Sequence, residues 1–259
     1  MNKNLQISIV QSDIKWENID KNLDYHYSLI ENLKNQTDII VLPEMFTTGF
    51  SLNAEKLAET MDGKAVKWLM NTAKTLSSVI TGSIIIKDNE NYYNRMIWAQ
   101  PDGKLYFYDK RHLFRMAGEH KHYSFGNEKT IFNYKGWNIR PLVCYDLRFP
   151  VWSRNKQDYD IAIYIANWPI TRAEAWKTLL MARAMENQAF IVGVNRCGID
   201  GMKLNYSGDS RIISPDGKII SSCEEFKEQV ITTSIEYEFL TNLKQCFPVQ
   251  LDSDNFEIL

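Results

Sequence analysis

The sequence contains few cysteines, and their placement argues against two common uses of this residue. Of 259 residues only four are cysteine, namely Cys144, Cys197, Cys223 and Cys246. No two of them form a Cys-x-x-Cys pair, and no histidine lies at ligand spacing beside them. Neither a zinc site nor a disulfide framework is therefore expected. We predict a protein with no metal and no cofactor.

Long apolar runs and a large excess of one charge are also missing. No run of eighteen apolar residues occurs, so the sequence predicts no membrane-spanning helix. The formal net charge is −2, without the basic surplus expected of a nucleic-acid-binding protein. The first residues lack the apolar segment and cleavage site of a signal peptide. We therefore expect a cytoplasmic protein without a nucleic-acid or membrane partner.

Three of the four histidines, His112, His120 and His122, lie close together, and a His-x-His pair can bind metal. The same segment carries four cationic side chains: Lys110, Arg111, Arg115 and Lys121. So much positive charge disfavours a metal ion. We predict a solvated or substrate-facing loop here.

Strand-like and helix-like segments alternate along the chain. Period and β-branched content predict strands over 5–11, 38–43, 78–86, 139–143, 160–166 and 189–194. Helices are predicted over 16–35, 64–76, 149–155 and 172–188. Segments 96–108 and 211–221 are each broken by Pro-Asp-Gly, which predicts two hairpins. No linker rich in Gly, Ser or Pro divides the chain, so we predict one α/β domain over 1–259, with a polar tail from 250 that is docked or partly disordered.

Three of the predicted strands lead directly into a reactive side chain: Glu44, Lys110 or Cys144. Because the carboxyl ends of strands in an α/β sheet meet in one crevice, these three side chains are expected together. A thiol must become a thiolate to attack. Glu44 is suited to take the thiol proton and Lys110 to stabilise the negative charge, which predicts a nucleophilic site.

Each of these residues, taken alone, has another interpretation. Glu44 fits a helix N-terminus, where the dipole favours an acid. Lys110 fits a solvated basic turn, and Cys144 fits the core. A dyad of Cys144 with His112 would leave Glu44 and Lys110 without a role. The coincidence of all three at strand ends favours the site.

Segments around these residues resemble a known family. LPEMF (42–46), YDKRHLF (108–114) and VCYDLRFP (143–150) resemble the three signature blocks of the nitrilase, or carbon–nitrogen hydrolase, superfamily. NWP (167–169) and ARAMENQ (182–188) are similar to later blocks. The resemblance implies a four-layer αββα sandwich of two mixed sheets with helices outside. It also implies a catalytic Glu44–Lys110–Cys144 triad and a homodimer.

The same resemblance implies a second glutamate near the triad. Glu119 lies where that residue is expected, seven positions before Gly126. Glu128 is the alternative, although it lies beyond Gly126.

Two segments resemble one group within this superfamily more specifically. EMFTTGF (44–50) and KRHLFRM (110–116) resemble bacterial omega-amidases. The resemblance implies hydrolysis of the terminal amide of 2-oxoglutaramate or 2-oxosuccinamate to the 2-oxo acid and ammonia, through a thioester on the cysteine. Other amides, nitriles and N-carbamoyl compounds are alternative substrates of the same triad. A catalytically silent small-molecule binding scaffold is the alternative outside enzymes.

A substrate carboxylate calls for a cation, and arginine binds carboxylates in a bidentate manner. We expect Arg115, then Arg172, then Arg148 in this role, although Arg148 is also placed to pair with Asp146. The backbone N–H of Tyr145 is expected to help hold the oxyanion. Aromatic side chains are expected to wall the pocket, namely Tyr145, Phe46, Phe114 and Trp168.

Overall fold

The structure is a computed structural model that describes residues 4–258, and it contains two six-stranded sheets. The strands of the first sheet are β1 (Leu5–Gln11), β2 (Ile39–Val41), β3 (Val79–Asp88), β4 (Asn91–Ala99), β5 (Leu105–Asp109) and β14 (Gln229–Ile235). Those of the second are β6 (Phe132–Tyr134), β7 (Trp137–Val143), β8 (Ile161–Ala166), β9 (Phe190–Asn195), β12 (Arg211–Ile213) and β13 (Ile219–Ser222). A separate pair is formed by β10 (Cys197–Ile199) and β11 (Asn205–Ser207).

Both sheets are mixed, and they share one pattern. Their strand orders are β14-β1-β2-β3-β4-β5 and β13-β12-β9-β8-β7-β6. In the first sheet β1, β2 and β3 run parallel, and in the second β7, β8 and β9 do. The parallel strands lie in the middle of each sheet, and antiparallel neighbours flank them. The carboxyl ends of the parallel strands therefore face loops that can form a site.

Helices cover the outer face of each sheet. The helices are α1 (Ile19–Ile30), α2 (Ala54–Leu57), α3 (Lys64–Leu76), α4 (Pro150–Ser153), α5 (Ala173–Asn187) and α6 (Tyr237–Cys246). Leu23 of α1 and Leu69 of α3 pack with Ile40 and Ile80 of the first sheet. Trp176 of α5 packs with the second sheet. No helix within residues 4–258 is long and apolar enough to cross a bilayer.

The main core lies between the two sheets. Ile7 and Ile9 of β1 share one buried cluster with Ile139 of β7 and Ile163 of β8. All four are fully buried, and burial of such a side chain contributes about 1.5–3 kcal/mol. Val10 of β1 faces the helices instead, as the alternation of a strand requires. The predicted αββα sandwich is confirmed.

Most predicted elements are found, with differences at their ends. The helix over 64–76 and both hairpins are confirmed. The helix predicted over 16–35 is shorter, because the Asn18 side chain accepts a hydrogen bond from the Lys21 N–H and begins α1 there. The helix predicted over 149–155 is a single turn that follows a 3-10 turn over Cys144–Arg148. In the tail a 3-10 turn covers Val249–Asp252, and residue 259 lies outside the described residues.

Candidate active site

The structure brings the three strand-end residues together. Glu44 follows β2, Lys110 follows β5 and Cys144 follows β7. The Nζ atom of Lys110 donates a hydrogen bond to Oε1 of Glu44 at 2.9 Å, and both side chains are fully buried. Cys144 is partly exposed and lines the same cavity as Lys110, and the negative charge of Glu44 acts on its thiol. A thiol, a carboxylate and an ammonium therefore meet at one point between the sheets.

A second carboxylate joins them. Both oxygens of Glu119 accept hydrogen bonds from Lys110 Nζ, at 2.9 and 3.0 Å. Oε2 of Glu119 also accepts one from the Phe114 N–H. Glu128, the alternative from the sequence, is exposed. The structure thus places Glu119, and not Glu128, beside the lysine.

Two asparagines hold the carboxylate of Glu44 in position. Asn94 Nδ2 donates to Oε1 of Glu44 at 2.8 Å, and the backbone N–H of Asn167 donates to Oε2 at 2.7 Å. Asn167 Nδ2 also donates to the main-chain oxygen of Glu44 at 2.6 Å. Sequence analysis missed this use of both residues. Asn94 carries one signal in the sequence, an amide shortly before the apolar run over 96–99.

Burial and charge shift the pKa values of this cluster. Burial alone lowers the pKa of Lys110, but the Glu119 and Glu44 carboxylates outweigh it and raise this pKa well above the usual value. Burial raises the pKa of Glu119. Burial and the negative charge of Glu44 raise the pKa of the Cys144 thiol well above its usual value, against the opposing effect of Lys110. The resting thiol is therefore protonated and requires a base.

The backbone at Cys144 is held in an unusual conformation. Its φ is +47°, in the left-handed region that costs energy for a residue with a Cβ. Asp146, two residues on, fixes this turn: Oδ2 accepts from the Val143 N–H and the Tyr108 hydroxyl at 3.0 and 2.8 Å. Oδ1 accepts from the His112 N–H at 2.9 Å. The turn at Cys144 is thus held by a carboxylate that sequence analysis did not assign to it.

The loop of histidines differs from its prediction at one position. His112 lies against Asp146, with Nδ1 at 2.8 Å from Oδ1, and its ring stacks on Phe149 at 3.8 Å. It is therefore packed into the fold rather than solvated or facing substrate. Within residues 4–258, no three His, Cys, Asp or Glu side chains are arranged to hold a metal ion.

A cavity of about 600 Å³ opens onto the cluster. Most of its wall is apolar. Its lining residues are Trp16, Glu17, Phe50, Ser51, Leu52, Asn53, Lys110, Phe114, Ala117, Cys144, Asn167, Pro169, Arg172, Asp200, Met202, Leu204 and Tyr206. This volume is typical of small-molecule sites.

Of the three arginines expected to bind a carboxylate, only Arg172 lines this cavity. Its guanidinium carbon lies 5.3 Å from the ring centre of Phe114, which also lines the cavity. Arg115 is exposed in a 3-10 turn over Arg115–Ala117 and does not line it. Arg148 is exposed and lies over the ring of Trp168, while Asp146 bonds to other groups. The predicted order of these arginines is therefore corrected in favour of Arg172.

The other three aromatic residues predicted for the wall do not line the cavity. The Tyr145 ring packs between Phe114 and Phe149, with centroids 5.0 and 5.1 Å away. Trp168 is buried, and its Nε1 donates to the Arg172 main-chain oxygen at 2.8 Å. Phe46 is fully buried in the helix-covered core of the first sheet. Of the four predicted aromatic residues, only Phe114 lines the cavity. Trp168 contacts the main chain of Arg172 instead.

Comparison with known proteins agrees with this arrangement. The family model for carbon-nitrogen hydrolases matches residues 6–245. The chain is 43% identical over 254 residues to omega-amidase YafV of Escherichia coli (strain K12), covering 98% of each. It is 33% identical over 248 residues to the 2-oxoglutaramate amidase of Bacillus subtilis (strain 168), covering 94% of this chain and 95% of that protein.

Solved structures give the same result. The crystal structure of XC1258 from Xanthomonas campestris, a CN-hydrolase superfamily protein with an arsenic adduct in its active site, is 45% identical. It superposes with a TM-score of 0.97 over 99% of both chains. Since the family model covers most of the sequence and these relatives cover nearly all of it, the chain belongs to the carbon–nitrogen hydrolase family.

Proposed function

We propose that this protein is an omega-amidase. It hydrolyses the terminal amide of small 2-oxo dicarboxylic acid monoamides, such as 2-oxoglutaramate and 2-oxosuccinamate, to the 2-oxo acid and ammonia. The observation that carries the proposal is a cavity lined by Cys144, Lys110 and Arg172, in which the lysine is hydrogen-bonded to Glu44. The similarity to omega-amidase YafV and to a 2-oxoglutaramate amidase supports it.

The first half of the reaction forms a thioester. Glu44 accepts the proton of Cys144, and the thiolate attacks the amide carbon. The positive charge of Lys110 and a hydrogen bond from the backbone N–H of Tyr145 stabilise the oxyanion, and one preorganised donor of this kind contributes about 3 kcal/mol. When the intermediate collapses, the carbon–nitrogen bond breaks and Glu44 gives its proton to the departing nitrogen. Ammonia leaves, and the acyl group remains on the sulfur.

The second half releases the acid. Glu44, again a carboxylate, takes a proton from water as that water attacks the thioester. Collapse of the second intermediate breaks the carbon–sulfur bond, and the sulfur recovers its proton from Glu44. Glu119 keeps Lys110 charged and in place through both halves, because its two oxygens bind the same ammonium.

Arg172 binds the substrate carboxylate in this scheme. It lines the cavity together with Cys144, and its main-chain oxygen is fixed by Trp168. Phe114 lies against the guanidinium and limits its movement. A substrate with an amide at one end and a carboxylate at the other therefore places the amide at Cys144 and the carboxylate at Arg172.

The decisive experiment measures ammonia release from a panel of 2-oxoglutaramate, neutral amides, nitriles and N-carbamoyl compounds. We expect the 2-oxo acid amide to have the highest kcat/KM. Cys144→Ala is expected to lose at least about 1,000-fold in rate. It should also lose the acyl adduct that mass spectrometry of the quenched wild-type reaction detects. A Cys144→Ala protein that keeps most of its activity contradicts the mechanism, and preferred turnover of nitriles contradicts the substrate class.

Three accompanying proposals concern the whole molecule. We propose that 1–259 is one hydrolase domain, supported by a core that both sheets share.

We propose a homodimer, supported by the exposed apolar side chains of Ile219, Ile220 and Phe239 around one surface groove. Light scattering that gives the mass of one chain contradicts the dimer. A cytoplasmic location is supported by four cysteines that are all unpaired, and fractionation tests it.

A further inference from the structure

One wall of the cavity is a hairpin that the proposed reaction does not use. Strands β10 and β11 pair antiparallel, and we call residues 197–207 the hairpin wall. Met202 and Leu204, near its tip, both line the cavity that holds Cys144. Their exposed fractions are 70% and 46%, although both are apolar. The hairpin wall therefore exposes apolar surface beside Cys144, and exposed apolar surface of this kind is typical of a ligand-binding groove.

The tip of the hairpin wall is fixed rather than loose. Asp200 is buried, and its Oδ1 accepts hydrogen bonds from the N–H groups of Met202 and Leu204, both at 2.9 Å. Its Oδ2 accepts one from the Tyr206 hydroxyl at 2.8 Å. Gly201 lies so close to the Trp16 indole that an added Cβ would come within 2.4 Å of its ring atoms. Since the tip is held before any ligand arrives, it can bind an apolar group at a small entropic cost.

The cavity is also larger than the proposed substrates need. About 600 Å³ lies within the range of sites for drug-sized ligands, whereas 2-oxoglutaramate is a chain of five carbons. Arg172, Lys110 and Cys144 account for the polar ends of that substrate. The remaining wall includes Trp16 and Leu204, and burial of apolar surface there favours binding by roughly 25 cal/mol for each Å².

We propose that the hairpin wall is an apolar subsite, and that the enzyme also hydrolyses acid monoamides that carry an apolar extension. The proposal rests on the proposed amidase function. The extension is either a longer acyl chain or a substituent on the amide nitrogen. In both cases the carbon–nitrogen bond breaks, the oxygen of water joins the acyl carbon, and its protons go to the acid and to the ammonia or amine released.

The test compares three substrates: 2-oxoglutaramate, an acid monoamide with a phenyl-substituted acyl chain, and the N-benzyl derivative of glutaramate. We expect wild-type protein to turn over at least one extended substrate with a kcat/KM within about tenfold of that for 2-oxoglutaramate. A Met202→Ser, Leu204→Ser double variant is expected to lose about tenfold more on that extended substrate than on 2-oxoglutaramate. If the double variant loses activity on the phenyl-substituted acyl substrate, the hairpin wall binds the acyl chain. If it loses activity on the N-benzyl substrate, the hairpin wall binds the substituent on the amide nitrogen.

Ile199→Ser is the matched control. Ile199 lies on the same hairpin and is 63% exposed, but it does not line the cavity. We expect it to leave the ratio between the substrates unchanged. Wild-type protein that hydrolyses 2-oxoglutaramate but neither extended substrate overturns the subsite alone, and so does a double variant that lowers all substrates equally. Wild-type protein that hydrolyses no amide overturns the proposed function itself.

Discussion

Glu119 binds Lys110 through both carboxylate oxygens, at 2.9 and 3.0 Å, inside a fully buried cluster. Glu44 accepts the third hydrogen bond of the same ammonium. One cation thus faces two carboxylates and lies beside the Cys144 thiol. This balance of charges raises the pKa of Lys110 against the effect of burial, because charges this close shift a pKa by one unit or more.

Replacing Glu119 with glutamine tests that balance. Glu119 raises the pKa of Lys110, so Glu119→Gln lowers it. Because the reaction needs the ammonium form, we expect the alkaline limb of the pH profile of kcat/KM to move to lower pH. We also expect kcat to fall by roughly 10–100-fold. Glu128→Gln, at an exposed glutamate nearby, should change neither quantity. An unmoved alkaline limb in Glu119→Gln argues against control of Lys110 by this carboxylate.

Replacing Glu44 with glutamine is expected to speed chemical labelling of Cys144 while abolishing amide hydrolysis. The charge of Glu44 raises the pKa of the Cys144 thiol, so Glu44→Gln lowers that pKa and increases the thiolate fraction at neutral pH. We expect Cys144 to react with iodoacetamide roughly 3-fold faster for each unit of pKa lost, since the thiolate fraction rises tenfold while its nucleophilicity falls. Amide hydrolysis should nevertheless be lost, because the base is missing.

Peptide mass spectrometry measures this labelling at each cysteine. The exposed Cys246 is the internal reference, whereas Cys197 and Cys223 are buried and should label slowly. Slower labelling of Cys144 in Glu44→Gln than in wild type contradicts the inferred direction of the pKa shift.

Arg172 and Arg115 form a matched pair for the carboxylate-binding role. We expect Arg172→Ala to raise KM for 2-oxoglutaramate by about 10–100-fold, the value of a hydrogen bond to a charged group. KM for a neutral amide of similar length should change by less than about twofold. Arg115→Ala should leave both values close to wild type, because Arg115 is exposed outside the cavity. Equal effects of Arg172→Ala on acidic and neutral amides remove Arg172 from this role.

Asp146 allows a test of the turn that holds Cys144. Its two oxygens face only donors, including the Val143 N–H and the Tyr108 hydroxyl. In Asp146→Asn an NH₂ group must face some of these donors, which leaves buried groups unsatisfied. We expect the free energy of unfolding in urea to fall by about 2–4 kcal/mol. Asp62→Asn, at an exposed site, should stay within about 0.5 kcal/mol, and a similarly small effect of Asp146→Asn contradicts its anchoring role.

The sequence predicts best those features that depend on local pattern. Helix α3 matches its prediction because an apolar face runs along 64–76 and Ser77 ends the helix in the left-handed conformation, with φ +59°. The meeting of Glu44, Lys110 and Cys144 is predictable because each follows a strand, and the ends of strands carry the sites of α/β folds. The sequence does not show that two sheets contribute: β2 and β5 belong to the first sheet and β7 to the second.

Features that depend on distant contacts were missed or placed wrongly. Asp146 holds the Cys144 turn through Tyr108 and His112, which lie 38 and 34 residues away in the chain. The sequence favours Arg115 over Arg172 because Arg115 follows Lys110 closely in the chain. The 3-10 turn over Arg115–Ala117 exposes it, and no local pattern shows its direction.

His26 links folding stability to pH outside the active site. It is fully buried in α1, where its ring nitrogens lie 2.9 Å from Ser12 Oγ and 2.7 Å from the main-chain oxygen of Asn22. Burial lowers its pKa from 6.5 to about 4. Between these two values the unfolded chain binds a proton that the folded protein does not. Stability contributed by the neutral ring is therefore complete above pH 6.5 and is lost as the pH falls towards 4.

The difference between wild type and His26→Gln isolates this effect from the other acids and bases of the chain. Glutamine has hydrogen-bonding groups for Ser12 and Asn22 but does not titrate. We expect the free energy of unfolding of wild type to fall between pH 6.5 and pH 4 by about 3 kcal/mol more than that of the variant. Urea unfolding at half-unit steps of pH measures both curves. Parallel curves mean that His26 is protonated in the folded protein at the usual pH, which contradicts its burial as a neutral ring.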